Sequence, residues 1–167
     1  MPKLTNQSRG EKIEDTIVRL LTERNLTLAT AESCTGGFIA NQITNVPGAS
    51  RIFRGGIVAY SNEAKRKFLG VRAKTLTRHG AVSEAVALEM AGGARKKFGA
   101  DFTIAVTGIA GPDGGSKSKP VGTVFIALAG EGESVVERKL NSFGREKFKR
   151  STARQALKML YLRLLQT

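Results

Sequence analysis

Residues 26–31 form an apolar, strand-like run that ends at Glu32-Ser33-Cys34-Thr35-Gly36-Gly37 and hands over to a helix-like run at 38–44. A strand that turns straight into a helix needs a sheet for that helix to lie on, which points to an α/β architecture. Gly36 and Gly37 permit tight turning and close backbone approach. A helix start offers unpaired N–H groups and a partial positive charge. That environment suits a nucleophile whose product carries a developing oxyanion. It equally suits a phosphate, and Ser33 or Thr35 reads just as well as a plain N-cap.

The remaining chain continues the alternation. Residues 11–25 have helical periodicity, with Ile13, Ile17, Leu20 and Leu21 on one face. Residues 55–60 are a compact β run, and 49–53 are ambiguous between helix and strand. Ser61 or Asn62 caps a helix that stops at Gly70, and Ser83 caps another that runs to Phe98 and Gly99. The basic stretch between them, 71–80, is expected to be irregular. Residues 102–106 form a strand, followed by a glycine-rich loop over 107–122. Residues 123–129 and 134–141 read as a hairpin, and 146–165 as the last helix. The expected fold is a single-domain three-layer α/β/α sandwich with a mixed, partly parallel sheet and a late β-hairpin. Residues 1–10 read as a flexible basic leader and 11–167 as one domain.

Four constellations could carry chemistry. The first is the Ser33 turn. The second is Tyr60-Ser61-Asn62-Glu63-Ala64-Lys65, which brings a lysine into an early helical turn after a strand. The third is Thr107-Gly108-Ile109-Ala110-Gly111-Pro112-Asp113-Gly114-Gly115, a loop rich in backbone donors suited to an anion. The fourth is Arg145, whose planar fork suits a phosphate or carboxylate. In α/β folds the functional residues gather at the carboxyl ends of parallel strands, where Ser33, Tyr60 and Thr107 are each expected.

The chain holds one cysteine and one histidine. An internal disulfide is therefore excluded, and a zinc site is not expected. A serine nucleophile must find a base among residues other than histidine, or use His79. Lysine is chemically sensible, but its free value near ~10.4 must drop by roughly three units, about 4 kcal/mol, to act at neutral pH. Burial or a nearby arginine must supply most of that drop. Cys34 with His79 is a rival nucleophile pair. Residues 111–118 nearly spell a nucleotide-binding P-loop, but Ser116 replaces its second glycine and a strand follows where a helix is required.

Five motifs in order resemble the CinA C-terminal domain family: Ala31-Glu32-Ser33-Cys34-Thr35-Gly36-Gly37, Tyr60 to Lys65, His79-Gly80-Ala81-Val82-Ser83, Thr107 to Gly115, and Lys119-Pro120-Val121-Gly122-Thr123-Val124. The resemblance implies a compact α/β/α domain that hydrolyses the carboxamide of nicotinamide mononucleotide to nicotinic acid mononucleotide and ammonia. It implies no metal and no organic cofactor. Ser33 would be the nucleophile, Lys65 its general base, and Tyr60 an aid to proton transfer. Thr107 would bond the substrate or the catalytic network, and Arg145 would help hold the substrate. Gly36, Gly37, Gly108 and Gly111 are further candidate substrate-binding residues, through their backbone groups. The pyrophosphatase activity linked to the molybdopterin-binding-like domain of longer members is not expected.

The net charge of +13, from 27 basic and 14 acidic residues, favours an anionic partner. A nucleotide substrate meets that requirement. The alternatives are a basic nucleic-acid-binding or competence-related accessory protein, and a catalytically silent nucleotide-binding homologue. No aromatic stacking platform or recognition-helix motif supports the nucleic-acid reading. No signal peptide or membrane-length apolar run occurs, so the expectation is a cytoplasmic protein without membrane contact. The expected assembly is a homo-oligomer.

Overall fold

Residues 123–129 are apolar at both parities, so a strand made from them needs cover on both faces. The computed structural model describes residues 10–166, and the expected leader lies outside them apart from Gly10. Strand β4 (Thr123–Ala129) is buried at every position. Val124, Ile126 and Leu128 enter one core, and Phe125, Ala127 and Ala129 enter a second. The sheet adds β1 (Leu28–Glu32), β2 (Phe53–Val58), β3 (Phe102–Gly108) and β5 (Ser134–Leu140), in the order β2-β1-β3-β4-β5. β1 pairs in parallel with β2 and β3, whereas β4 pairs antiparallel with β3 and β5. The mixed sheet and the late hairpin are thus as the sequence indicates.

Helices cover both faces. On one side lie α1 (Ile13–Glu23), α2 (Phe38–Thr44) and α6 (Arg145–Leu164), which bury Ile17, Leu21, Ile39, Ile43, Phe148, Leu157 and Leu160 against large strand residues such as Ile104. On the other lie α3 (Asn62–Leu69), α4 (Ala73–His79) and α5 (Glu84–Phe98). Here the sheet presents mainly alanine, at Ala31, Ala105, Ala127 and Ala129, and α5 answers with Ala87, Ala91 and Ala94. Small residues on both partners let α5 lie close to the strands, in a dense apolar contact.

Local departures from the sequence reading have identifiable causes. Residues 73–79 are helical, because Glu89 on α5 accepts hydrogen bonds from the Arg72 N–H at 2.8 Å and the Thr75 hydroxyl at 2.8 Å. That long-range partner organises a segment with no strong signal of its own. The ambiguous stretch divides into a 3-10 turn, Ala49–Arg51, and the start of β2. β3 runs on to Gly108, so Thr107 lies within the strand. The loop 109–122 is pinned at its root by Ile109 N–H to the Thr123 carbonyl and Gly122 N–H to the Ile109 carbonyl, both at 2.8 Å. Lys119 Nζ also donates to the His79 carbonyl at 2.8 Å.

Both expected caps form: Ser61 accepts from Ala64 N–H, and Ser83 accepts from Val86 N–H while donating to the Gly80 carbonyl. Ser83→Ala is expected to cost about 1 kcal/mol of unfolding free energy by urea titration, from loss of that cap.

Candidate active site

The turn after β1 is built on a buried carboxylate. Glu32, 1% exposed, accepts hydrogen bonds from the Thr35 hydroxyl at 2.6 Å, Gly37 N–H at 3.1 Å, Ile39 N–H at 3.0 Å and Ala40 N–H at 2.8 Å. A negative group at the start of α2 satisfies the free amides there and meets the positive end of the helix dipole. Gly36 and Gly37 have φ of +62° and +96°, which allows the chain to fold back on Glu32. Neither Ser33 nor Thr35 is the cap: Thr35 donates to the group that caps, and Ser33 is left free.

Free of that duty, Ser33 meets Lys65. The Ser33 N–H donates to the Val106 carbonyl at 3.0 Å, which fastens the residue to β3. Lys65 Nζ donates to Ser33 Oγ at 2.8 Å and to the Ala59 carbonyl at 2.9 Å. The two side-chain hosts are 8% and 2% exposed. Burial holds the Lys65 ammonium below its usual range. A thiolate at Cys34 would raise it again, but burial pushes the Cys34 thiol up to about 12, so that charge is absent at neutral pH. Among the described residues no carboxylate pairs with Lys65. Burial, rather than an arginine, is what disfavours its charged form.

Around this pair lies an open cleft of about 300 Å³, at the lower end of the range for small-molecule sites. Ser33, Tyr60, Lys65, Thr107, Gly108, Gly111 and Arg145 all line it. Thr107 donates its hydroxyl to the Ala81 carbonyl at 2.8 Å and is 1% exposed. Tyr60 is 61% exposed, and its hydroxyl accepts from Arg145 Nη2 at 2.6 Å. Arg145 Nη1 donates to the Gly111 carbonyl at 2.8 Å. The guanidinium is thus held by two neutral oxygens, with its charge uncompensated by them. Asp113, also lining the cleft, is an acid the sequence reading did not single out.

Gly36 and Gly37 stand outside the cleft. Gly37 N–H serves Glu32, and Gly36 N–H donates to the Ser33 carbonyl at 3.1 Å. Both amides are thus engaged within the turn, and the two residues shape it. Among the described residues, the amides of Ala110, Gly111, Asp113 and Gly114 make no hydrogen bond. These four residues line the cleft.

The rival nucleophile pair does not form. Cys34 is buried in the larger core at the edge of the cleft, whereas His79 ends α4, is not among the residues lining the cleft, and has its carbonyl held by Lys119. Arg150, Arg154 and Lys158, on α6, border a separate groove beside Phe38 and Tyr161. Among the described residues no three of His, Cys, Asp and Glu gather as metal ligands, and no helix is long and apolar enough to cross a membrane. Glu32 is the residue that sequence reasoning missed. Its signal was an acid at a strand end, followed four and five residues on by two glycines and then by a helix.

Fold and cleft define a three-layer α/β protein with a buried serine–lysine contact at the carboxyl ends of its parallel strands. The sequence profile of the CinA C-terminal domain matches residues 10–164, and the chain belongs to that family. It is 47% identical over 156 residues to the nicotinamide-nucleotide amidohydrolase PncC of Escherichia coli K12, covering 93% of this chain and 94% of that protein. It is 57% identical over 118 residues to a CinA-like protein of Thermotoga sp. strain RQ2, covering 71% of this chain but only 29% of that longer protein. Among solved structures, a CinA superfamily protein of Klebsiella pneumoniae 700603 superposes with a TM-score of 0.89 at 37% identity, over 93% of this chain and 97% of that one. The competence/damage-inducible protein CihA of Agrobacterium tumefaciens superposes at 0.84 with 42% identity, over 92% and 96%.

Two measurements test the site's electrostatics. Glu32→Gln turns an amide donor toward donors and is expected to cost about 2 kcal/mol in urea unfolding. For Lys65, the folded value lies below the unfolded one, so the unfolded chain binds more protons between the two. Unfolding free energy should therefore rise with pH across that window, up to ~10.4. Lys65→Met should lack this rise, and identical slopes for the two proteins would refute the buried-lysine assignment.

Proposed function

We propose that this protein hydrolyses the carboxamide of nicotinamide mononucleotide to nicotinic acid mononucleotide and ammonia, with Ser33 as nucleophile and Lys65 as general base. The observation that carries the reading is the 2.8 Å contact between Ser33 Oγ and a lysine whose burial favours the neutral amine. The similarity to the Escherichia coli amidohydrolase along nearly its whole length supports the substrate.

Ser33 Oγ attacks the carboxamide carbon while the neutral Lys65 amine takes its proton. With Lys65 neutral, the Ser33 hydroxyl donates to Nζ, and the Ala59 carbonyl accepts one of the amine's two N–H groups, which helps to turn the lone pair toward Ser33. In the tetrahedral intermediate, Lys65 returns that proton to the amide nitrogen, and ammonia leaves an acyl-Ser33 ester. Water then attacks the ester with Lys65 as base. The carbonyl–Oγ bond breaks, the proton goes back to Ser33, and the carboxylate product departs. The unpaired amides of Ala110, Gly111, Asp113 and Gly114 are candidate donors to the oxyanion or the phosphate. Arg145 is assigned to the phosphate. Tyr60 supports it by holding the guanidinium, a contact that makes anion positioning a better role for this tyrosine than direct proton transfer.

Purified protein mixed with nicotinamide mononucleotide should release ammonia. Ser33→Ala and Lys65→Met should each lower kcat at least ~10³-fold, in line with losing a nucleophile or its base. Cys34→Ala should stay within a few-fold of the wild type. Saturable nucleotide binding with no ammonia would instead identify a silent homologue.

Removing the Arg145 guanidinium tests the phosphate assignment. Arg145→Ala should raise KM for the mononucleotide about 10- to 100-fold, equivalent to one charged hydrogen bond of roughly 1.5–3 kcal/mol. KM for the dephosphorylated nucleoside should barely move. Equal losses on both substrates would place the phosphate elsewhere.

A further inference from the structure

Helix α5 contains two adjacent glycines in its interior, Gly92 and Gly93, and they differ sharply in surroundings. A methyl group at Gly92 would meet nothing within 4 Å. A methyl group at Gly93 would lie 1.8 Å from the Leu69 carbonyl oxygen and 2.7 Å from its carbon. Those atoms are backbone, so no rotamer change relieves the overlap. An interior helical glycine costs about 1 kcal/mol relative to alanine, and at Gly93 the return is the close seating of α3 on α5.

That seat bears on the catalytic lysine. Leu69 lies four residues beyond Lys65, on the same face of α3. The helix closes on Lys65 itself: Val71 N–H donates to the Lys65 carbonyl at 3.1 Å after the left-handed Gly70. One turn before Gly93 on α5, Glu89 grips the next residue. Its carboxylate accepts from Arg72 N–H at 2.8 Å and Arg72 Nε at 2.7 Å. Gly93 and Glu89 together fix the end of α3 in translation and rotation.

We infer that Gly93, with Glu89, is a positioning residue that sets Lys65 Nζ within reach of Ser33 Oγ. Relieving the overlap at Gly93 requires α3 to move by more than an ångström, from 1.8 Å to an ordinary contact. A shift of about 1 Å at reacting groups lowers rate on the order of 10²-fold. The catalytic effect rests on the serine–lysine reading above, whereas the geometric effect does not.

The test compares Gly92→Ala, Gly93→Ala and Glu89→Gln in the full chain, with ammonia release from nicotinamide mononucleotide and a crystal structure of Gly93→Ala. Gly92→Ala should keep the wild-type kcat and melt higher. Gly93→Ala should lose about 100-fold in kcat with little change in KM. Its ascending pH–rate limb should move to higher pH as water reaches Lys65. Its crystal structure should show Nζ and Oγ beyond hydrogen-bond distance. Glu89→Gln should move kcat and the limb in the same direction by a smaller factor. A folded Gly93→Ala with wild-type kcat, pH limb and Nζ–Oγ distance overturns the inference. If Gly93→Ala does not fold, wild-type kcat and limb in Glu89→Gln overturn it. If the wild type releases no ammonia, the amidase reading fails. The Nζ–Oγ distance, in Gly93→Ala or failing that in Glu89→Gln, then decides the positioning role alone.

Discussion

The buried carboxylate of Glu32 is the constraint on which the site depends. A charge taken out of water must recover its hydration from fixed donors. Here the recovery comes from one hydroxyl and three amides at the start of α2. That solution ties the end of β1 to the beginning of α2 and forces the tight left-handed turn between them. It also takes the capping role from Ser33. A serine at a helix start ordinarily spends its oxygen on the helix, whereas this one faces a lysine.

Lys65 is the second costly group, and it differs from Glu32 in a functional way. Glu32 is fully satisfied, so its charge is structural. Lys65 has two oxygens as partners and no countercharge among the described residues, so its environment favours the neutral amine. The fold keeps water from it by layering α3 on α5 and α5 on an alanine-lined sheet face. Small residues therefore serve electrostatics as well as packing. Each methyl left off this interface brings apolar walls nearer to the lysine, and a closer wall means a poorer solvent for charge.

Much of the fold was legible because its signals are local. The caps at Ser61 and Ser83 and the stops at Gly70 and Gly99 depend on residues within one helical turn, and the structure has them where the sequence indicates. The doubly apolar run 123–129 announces a strand covered on both faces. α4 was not legible, since its stabilising partner, Glu89, lies on a different helix. Gly36 and Gly37 looked like anion-binding residues because a glycine pair before a helix often is. Only the reach of Glu32 back across the turn consumes the Gly37 amide. The Tyr60–Arg145 contact joins residues 85 positions apart, and no spacing rule in the chain connects them.

By itself the sequence determined the order of the strands and of every helix except α4, the α/β class, the family, and the set of side chains able to do chemistry. Those follow from periodicity, caps and motifs, which are short-range properties of a chain. Tertiary structure alone decided that Ser33 is unencumbered, that its neighbour is a dehydrated lysine, and that Tyr60 holds a guanidinium. Each of these is a matter of which group lies within about 3 Å of which and how much water remains between them. Those quantities come into being only when distant segments are pressed together into one core.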